Sequence, residues 1–198
     1  MTDSVAAVQK RPGMYVGDTT DGTGLHNLVC EIVRNAIKET LVGGATQIFV
    51  TLNSDGSCTV HDNGRGLPTD LDPMFGTSAA EVIMTHLHSA GRYHGYSPRI
   101  LDVGGIGACV VNALAEWLEL RIWRDGAEHH MRFRQGRSDA PLRIVGDVSG
   151  KHGTEVTFLP SATVFAKPEF DVAILGQRLA ELAALNSDAT LTLVDSRH

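Results

Sequence analysis

Cysteine is scarce in this sequence: three residues, at 30, 58 and 109, with no CxxC pair and no Cys/His metal spacing joining them. A disulfide-stapled framework and a zinc module are thereby excluded, and reduced, buried thiols among apolar or strand-like neighbours are expected. Positive charge is scarce as well. Seventeen Lys and Arg against 23 Asp and Glu leave a formal net charge of −6, which argues against gripping nucleic acid over this surface, because phosphate binding needs concentrated Lys and Arg. Any contact with DNA is expected from another part of a larger molecule. No uninterrupted apolar run approaches the ~20 residues of a membrane span. The N-terminal stretch MTDSVAAVQKRPG lacks the apolar core of a signal peptide, so a cytoplasmic protein with no membrane partner is expected. There is no internal repeat, no low-complexity tract and no obvious linker.

What is present suits one α+β domain spanning residues 1–198. The segment ending RPGMYVGDTTDGTG is too rich in Gly, Pro and Asp to be expected as helix. From Leu25 the apolar residues fall at 25, 28, 29, 32, 33, 36, 37 and 41, the period of an amphipathic helix, with Thr23 available as cap and Gly43-Gly44 to stop it. Two β-rich runs, 46–53 and 57–62, flank Asp55-Gly56 and predict a hairpin. Ser78 and Glu81 form a capping box opening a helix through about His88. Residues 89–107, with five glycines and a proline, read as a long mobile loop leading straight into a short helix, ACVVNALAEW. Strands at 118–124, 129–135, 141–146 and 154–160, a helix near 170–184 and a strand at 190–194 complete the chain. Helices lead into antiparallel strands without regular alternation, so a mixed, largely antiparallel sheet with helices on one face is expected.

Four constellations carry chemistry. Glu31 and Asn35 lie one turn apart on one helix face, where a carboxylate can orient water and an amide oxygen can ligate Mg²⁺. A solvated helix edge explains the same pair. Asp62 ends a strand and runs into Asn63-Gly64-Arg65-Gly66; the glycines permit close approach of a flat ring, and the carboxylate can accept from an exocyclic amine. A hairpin exit with turn glycines is the plainer account. Gly104-Gly105-Ile106-Gly107 enters a helix directly and suits an anion, although a flexible connector fits equally. It is not the G-x-x-x-x-G-K-[ST] of a P-loop. Gly153-Thr154 opens a late strand and by itself means nothing.

In order and spacing these pieces, together with RPGMYVGDT, GTGLHNLVCEIVRNAIKE, DNGRGLPTDLDP, TSAAEVIMTHLHSAG, VVNALAEWLEL and KHGTEVTFLPS, resemble the B subunits of bacterial gyrase and topoisomerase IV from about Gln9 to Thr192. The resemblance implies the Bergerat-type ATP-binding fold, shared with chaperone, histidine-kinase and mismatch-repair ATPases, and ATP with Mg²⁺ as cofactors. It implies Glu31 as the general base and Asn35 as the Mg²⁺ ligand. Asp62 would take the adenine amino group, supported by Thr154 through a water. Gly64 and Gly66 would flank the base, and Ile32, Val60, Leu67, Ile83 and Val156 would wall it. Gly104, Gly105 and Gly107 would lie in a phosphate lid spanning 89–107, with Arg92 near the phosphates. Arg65, Pro68 and Arg124 match the rim where aminocoumarins bind in the family.

Three departures stand out. Arg34 and Lys38 replace acids of the family pattern, and Gly104 stands where the lid carries a histidine. A pairing of Arg34 with Asp102 in a closed lid would compensate the first. By resemblance, residues 1–22 form the arm region, further domains follow residue 198, and the chain is part of a larger subunit. That subunit would dimerise with a second copy on ATP binding, join an A subunit and reach DNA through its other domains, coupling hydrolysis to DNA strand passage. The alternative is an ATP-binding switch module with little hydrolysis.

Overall fold

The computed structural model describes residues 3–41, 44–93 and 106–197. Its main sheet is built from β1 (Gln47–Leu52), β2 (Cys58–Asp62), β5 (Ala115–Arg124), β6 (Ala127–Arg134), β7 (Arg137–Ser138), β8 (Arg143–Asp147), β9 (Gly153–Pro160) and β10 (Thr190–Asp195). Seven of these run in the order β10-β1-β2-β9-β5-β6-β7, and β8 pairs with β6 to complete an eight-stranded sheet. Among the described residues only β1–β10 is parallel; the other pairings are antiparallel. The mixed, largely antiparallel sheet is therefore the one expected. A separate hairpin of two-residue strands, β3 (Leu71–Asp72) and β4 (Thr77–Ser78), was not legible in the sequence.

The central helix α3 (Thr23–Leu41) lies on the sheet and packs against β1, β2 and β9. Its apolar stripe, Leu25, Leu28, Val29, Ile32, Val33, Ala36 and Ile37, is buried in one core with Val50, Val60, Leu120, Val156 and Phe158. Each large side chain buried there contributes about 1.5–3 kcal/mol. Thr23 is the first helical residue; Asp21 accepts its N–H at 2.7 Å through Oδ1.

Strand parity decides what faces that helix. In β2 the residues Cys58, Val60 and Asp62 are buried and their neighbours half-buried. In β9, Thr154, Val156 and Phe158 share the same side. Val60 pairs with Val156, and Asp62 with Thr154. A carboxylate and a hydroxyl thus continue two apolar rows onto the buried face, since side chains on a strand alternate with period two.

Several boundaries differ from the sequence expectation. The segment after Arg11 is partly helical: α2 (Gly13–Val16) makes one turn before Gly17, at φ 83°, ends it. It follows α1 (Ser4–Lys10), which Gln9 pins by donating to the carbonyls of Ala113 and Gln135. Pro12 at the N-cap of α2 needs no amide of its own, so the proline and glycines frame a helical turn instead of forbidding one. Helix α4 (Ala79–Thr85) opens on the predicted Ser78 cap and stops short of His88, because Ser89 Oγ turns back onto the carbonyls of Val82 and His86. A 3₁₀ turn, Ala90–Arg92, follows. Helix α5 (Ala108–Ala113) also ends early. Ala115–Trp117, expected as helix, belongs to β5, where pairing with β9 overrides helix propensity. Helix α6 (Val172–Ala184) starts on Asp171, whose carboxylate accepts from Ala173 and Ile174.

The three cysteines are buried thiols, as expected. Burial drives the pKa of each above its ordinary value, that of Cys109 to about 12. No helix of the described residues is long and apolar enough to cross a membrane.

Candidate functional site

Asp62 is 7% exposed at the end of β2, and its Oδ1 accepts the Gly64 N–H at 2.8 Å. Burial raises its pKa to about 7, helped by the nearby charge of Glu39 and opposed by the Gly64 amide. The backbone beside it is packed beyond tolerance of any side chain. A Cβ on Gly64 would stand 2.7 Å from Asp62 Oδ1, one on Gly66 2.8 Å from the Trp123 carbonyl, and one on Gly153 2.0 Å from the Asp62 carbonyl. Gly66 and Gly153 also hold φ of 78° and 135°, conformations only glycine adopts freely. Thr154 Oγ1 accepts the Leu67 N–H at 3.1 Å, tying the loop after β2 to β9. Val60, Val156, Ile32 and Ile83 are buried in the adjoining core, and Leu67 packs on it half-exposed.

The loop's outer side is braced by charge. Arg124 continues the buried parity of β5 and donates from Nη1 to the Gly66 carbonyl at 2.8 Å. Arg65 grips Glu39 through two bonds, 2.9 and 3.2 Å. His152 Nδ1 lies 2.8 Å from the Gly64 carbonyl, which makes it a donor there. Pro68 follows, half-buried. Glu39 and His152 were missed in the sequence. Glu39 stands two turns beyond Glu31 on α3, and that periodicity was the available signal, but only the crossing of α3 over the loop shows its partner.

The second half of the site lies on α3. Glu31 is 1% exposed, yet both its oxygens are used: Oε2 accepts the Ile106 N–H and Oε1 the Gly107 N–H, each at 2.9 Å. The carboxylate therefore caps the two amides that lead into α5. Asn35, one turn on, is half-buried. Arg34 reaches back to Glu31, with Nη1 3.9 Å from Oε2. Lys38 is half-buried, and burial pulls its pKa down, with Glu31 pulling up and Arg34 adding to the fall.

The structure thus gathers Asp62, Gly64, Gly66, Leu67, Thr154, Val60 and Val156 around one strand end, with Arg124 and Arg65 on its rim. It sets Glu31, Asn35 and Gly107 together on α3 and the entry to α5. Arg92 goes elsewhere: its guanidinium is 3.7 Å from Asp72 and stacks 5.3 Å from the Phe75 ring centroid, on the β3–β4 hairpin. Gly104, Gly105 and Asp102, and with them most of the expected lid and the Arg34–Asp102 pairing, lie outside the described residues.

Known proteins resemble this chain in sequence and in fold. The chain is 52% identical over 192 residues to the DNA gyrase B protein of Rickettsia typhi, covering 96% of this chain and 24% of that protein. For the DNA gyrase B protein of Caulobacter vibrioides the figures are 51% over 202 residues, 96% and 25%. The chain therefore spans about a quarter of the length of these relatives. The crystal structure of the 43K ATPase domain of Thermus thermophilus gyrase B in complex with an aminocoumarin superposes with a TM-score of 0.87 at 43% identity, covering 99% of this chain and 50% of that one. Residues 20–163, which hold both halves of the site, match the profile of histidine kinase-, DNA gyrase B- and HSP90-like ATPases, and it is to this ATPase family that the chain belongs.

Proposed function

We propose that this chain binds ATP and serves as the nucleotide-binding unit of the longer, cytoplasmic B subunit of a type II topoisomerase. The observation that carries the reading is the buried Asp62 carboxylate, set among glycine backbone too close-packed for any side chain. A base with an exocyclic amine suits that carboxylate, because the single Gly64 N–H leaves most of its acceptor capacity unused and the packed glycine backbone fixes where it points. Ile32, Val60, Leu67, Ile83 and Val156 supply apolar walls, and Thr154 supports the base side.

The triphosphate would then extend toward Glu31 and Asn35. Asn35 offers one hard amide oxygen, and no cluster of three or more His, Cys, Asp or Glu side chains stands ready as a metal cage among the described residues. That donor set suits a Mg²⁺ carried in by the nucleotide, with phosphates and water as its other ligands; when bound, it neutralises phosphate charge. Glu31 is the group to orient and deprotonate the attacking water. Its present bonds to Ile106 and Gly107 must open first, which favours slow turnover by this unit alone. In the longer protein, hydrolysis would couple to dimerisation with a second copy, to an A subunit and to DNA strand passage through other domains. Arg65, Pro68 and Arg124 would form the rim for an aminocoumarin.

Calorimetry with a non-hydrolysable ATP analogue tests the reading. Saturable binding of the analogue, and of adenosine more weakly, is expected. Equal affinity for adenosine and inosine, which lacks the exocyclic amine, would overturn the assignment of Asp62.

A further inference from the structure

The face of α3 that carries Glu31 is unusual for a chain whose net charge is −6. Arg34 and Lys38 lie one turn apart, three and seven residues beyond Glu31, and therefore line the same face. Arg178 of α6 adds a third cation at the other end of this face, held by Asn27 at 2.6 Å. Among the described residues, the one carboxylate within 4 Å of these cations is that of Glu31, 3.9 Å from Arg34. That carboxylate already receives two backbone amides. The face thus holds more positive charge than its single buried acid balances, and the acid marks where an anion comes to rest.

We propose that Arg34 and Lys38 bind the phosphates of the nucleotide directly, so that this site holds a triphosphate without depending on a divalent cation. The proposal rests on the reading that the nucleotide's phosphates lie against Glu31 and Asn35. Both side chains are half-buried, so their charges act through less water than on an open surface and carry correspondingly further. Arg34 presents a planar fork suited to two phosphate oxygens, and Lys38 a compact point charge one turn along. A triphosphate entering here replaces Glu31 as the counter-ion of Arg34. Phosphate binding would thereby release the carboxylate that the ATPase reading needs as a base. The metal, when present, shares the neutralisation with the two side chains instead of supplying it alone.

The test is calorimetry on this chain with inorganic tripolyphosphate, adenosine and a non-hydrolysable ATP analogue, each with Mg²⁺ and with EDTA. Tripolyphosphate should bind in EDTA, and removing Mg²⁺ should weaken the analogue by less than about ten-fold. Arg34→Gln and Lys38→Gln keep good helix formers at both positions. Each should weaken the two phosphate ligands by about ten-fold in EDTA, less with Mg²⁺, and leave adenosine unchanged. No tripolyphosphate binding, loss of analogue binding in EDTA, or variants indistinguishable from the parent would each overturn the proposal. Adenosine separates the two readings: its failure to bind removes the base pocket, while the tripolyphosphate arm still decides the fate of Arg34 and Lys38.

Discussion

The two halves of the site are built differently. Around Asp62 the geometry belongs to the backbone: paired strands β2 and β9, glycines with no room for a Cβ, and a loop tied down at Thr154, Arg124 and His152. Around Glu31 it belongs to side chains on one helix, meeting amides at the entry to α5 where a Cβ on Gly107 would find nothing within 4 Å. One half is preorganised and tolerates little change. The other has room to rearrange, which the proposed exchange of its amides for incoming phosphates requires. On the proposed reading, recognition of the nucleoside is thereby separated from the chemistry at its far end.

The sharpest way to break the contrast is a methyl group. Gly153→Ala should destabilise the chain by about 4 kcal/mol or more, since the new Cβ meets the Asp62 carbonyl and the backbone must move. Gly107→Ala should cost only its backbone strain, about 1–3 kcal/mol. Urea denaturation of both variants checks the difference, and equal losses would erase the distinction between the halves.

Next in size is the base anchor. Asp62→Ala should lower analogue affinity by about 100-fold, because the amine loses its buried acceptor. Calorimetry that finds near-parental affinity would place the base elsewhere. Glu31→Gln sharpens the other half. In the full-length protein, turnover at saturating ATP should fall by about 100-fold or more while analogue affinity stays within a few-fold. Activity within a few-fold of the parent would remove Glu31 as the base.

On the rim, Arg124 holds the Gly66 carbonyl from outside the slot. Arg124→His should weaken an aminocoumarin by about ten-fold, roughly 1.4 kcal/mol. Inhibition assays that do not separate the two forms would rule that contact out.

The smallest expected effect is on pH dependence. The folded pKa of Asp62 is about 7 against an ordinary 3.8, because burial disfavours its charged form. Its contribution to stability is full below the ordinary value and is lost as pH rises through the folded one. Asp62→Asn removes that ionisation. Its melting temperature should therefore fall less than the parent's between about pH 5 and pH 8. Parallel profiles would show that Asp62 ionises freely in the folded chain.

Much of this was legible in the residues. The apolar period from Leu25 to Leu41 identifies α3 because a stripe of that width has to be buried, and Glu31 and Asn35 share a face by helical spacing alone. The Asp55-Gly56 hairpin and the Ser78 cap are equally local, each decided by neighbours a few residues away. The resemblance in DNGRGLPTDLDP and KHGTEVTFLPS pointed to Asp62 and Thr154 as partners, but their adjacency comes from the register of β2 against β9, a contact between residues 92 apart. Sheet pairing turned Ala115–Trp117 from a predicted helix into strand, since hydrogen bonding to β9 outweighs a weak local preference. Arg92 was expected at the phosphates and is held instead by Asp72 and Phe75, on a hairpin too short to show in the sequence pattern. Local periodicity thus determined where the longer helices and strands form and which side chains share a face. Only the tertiary structure decided that Glu31 lies on the amides of Ile106 and Gly107, that Glu39 holds Arg65 and that Gly153 has no room for a methyl group, because each depends on which distant backbone the fold brings within a few ångströms.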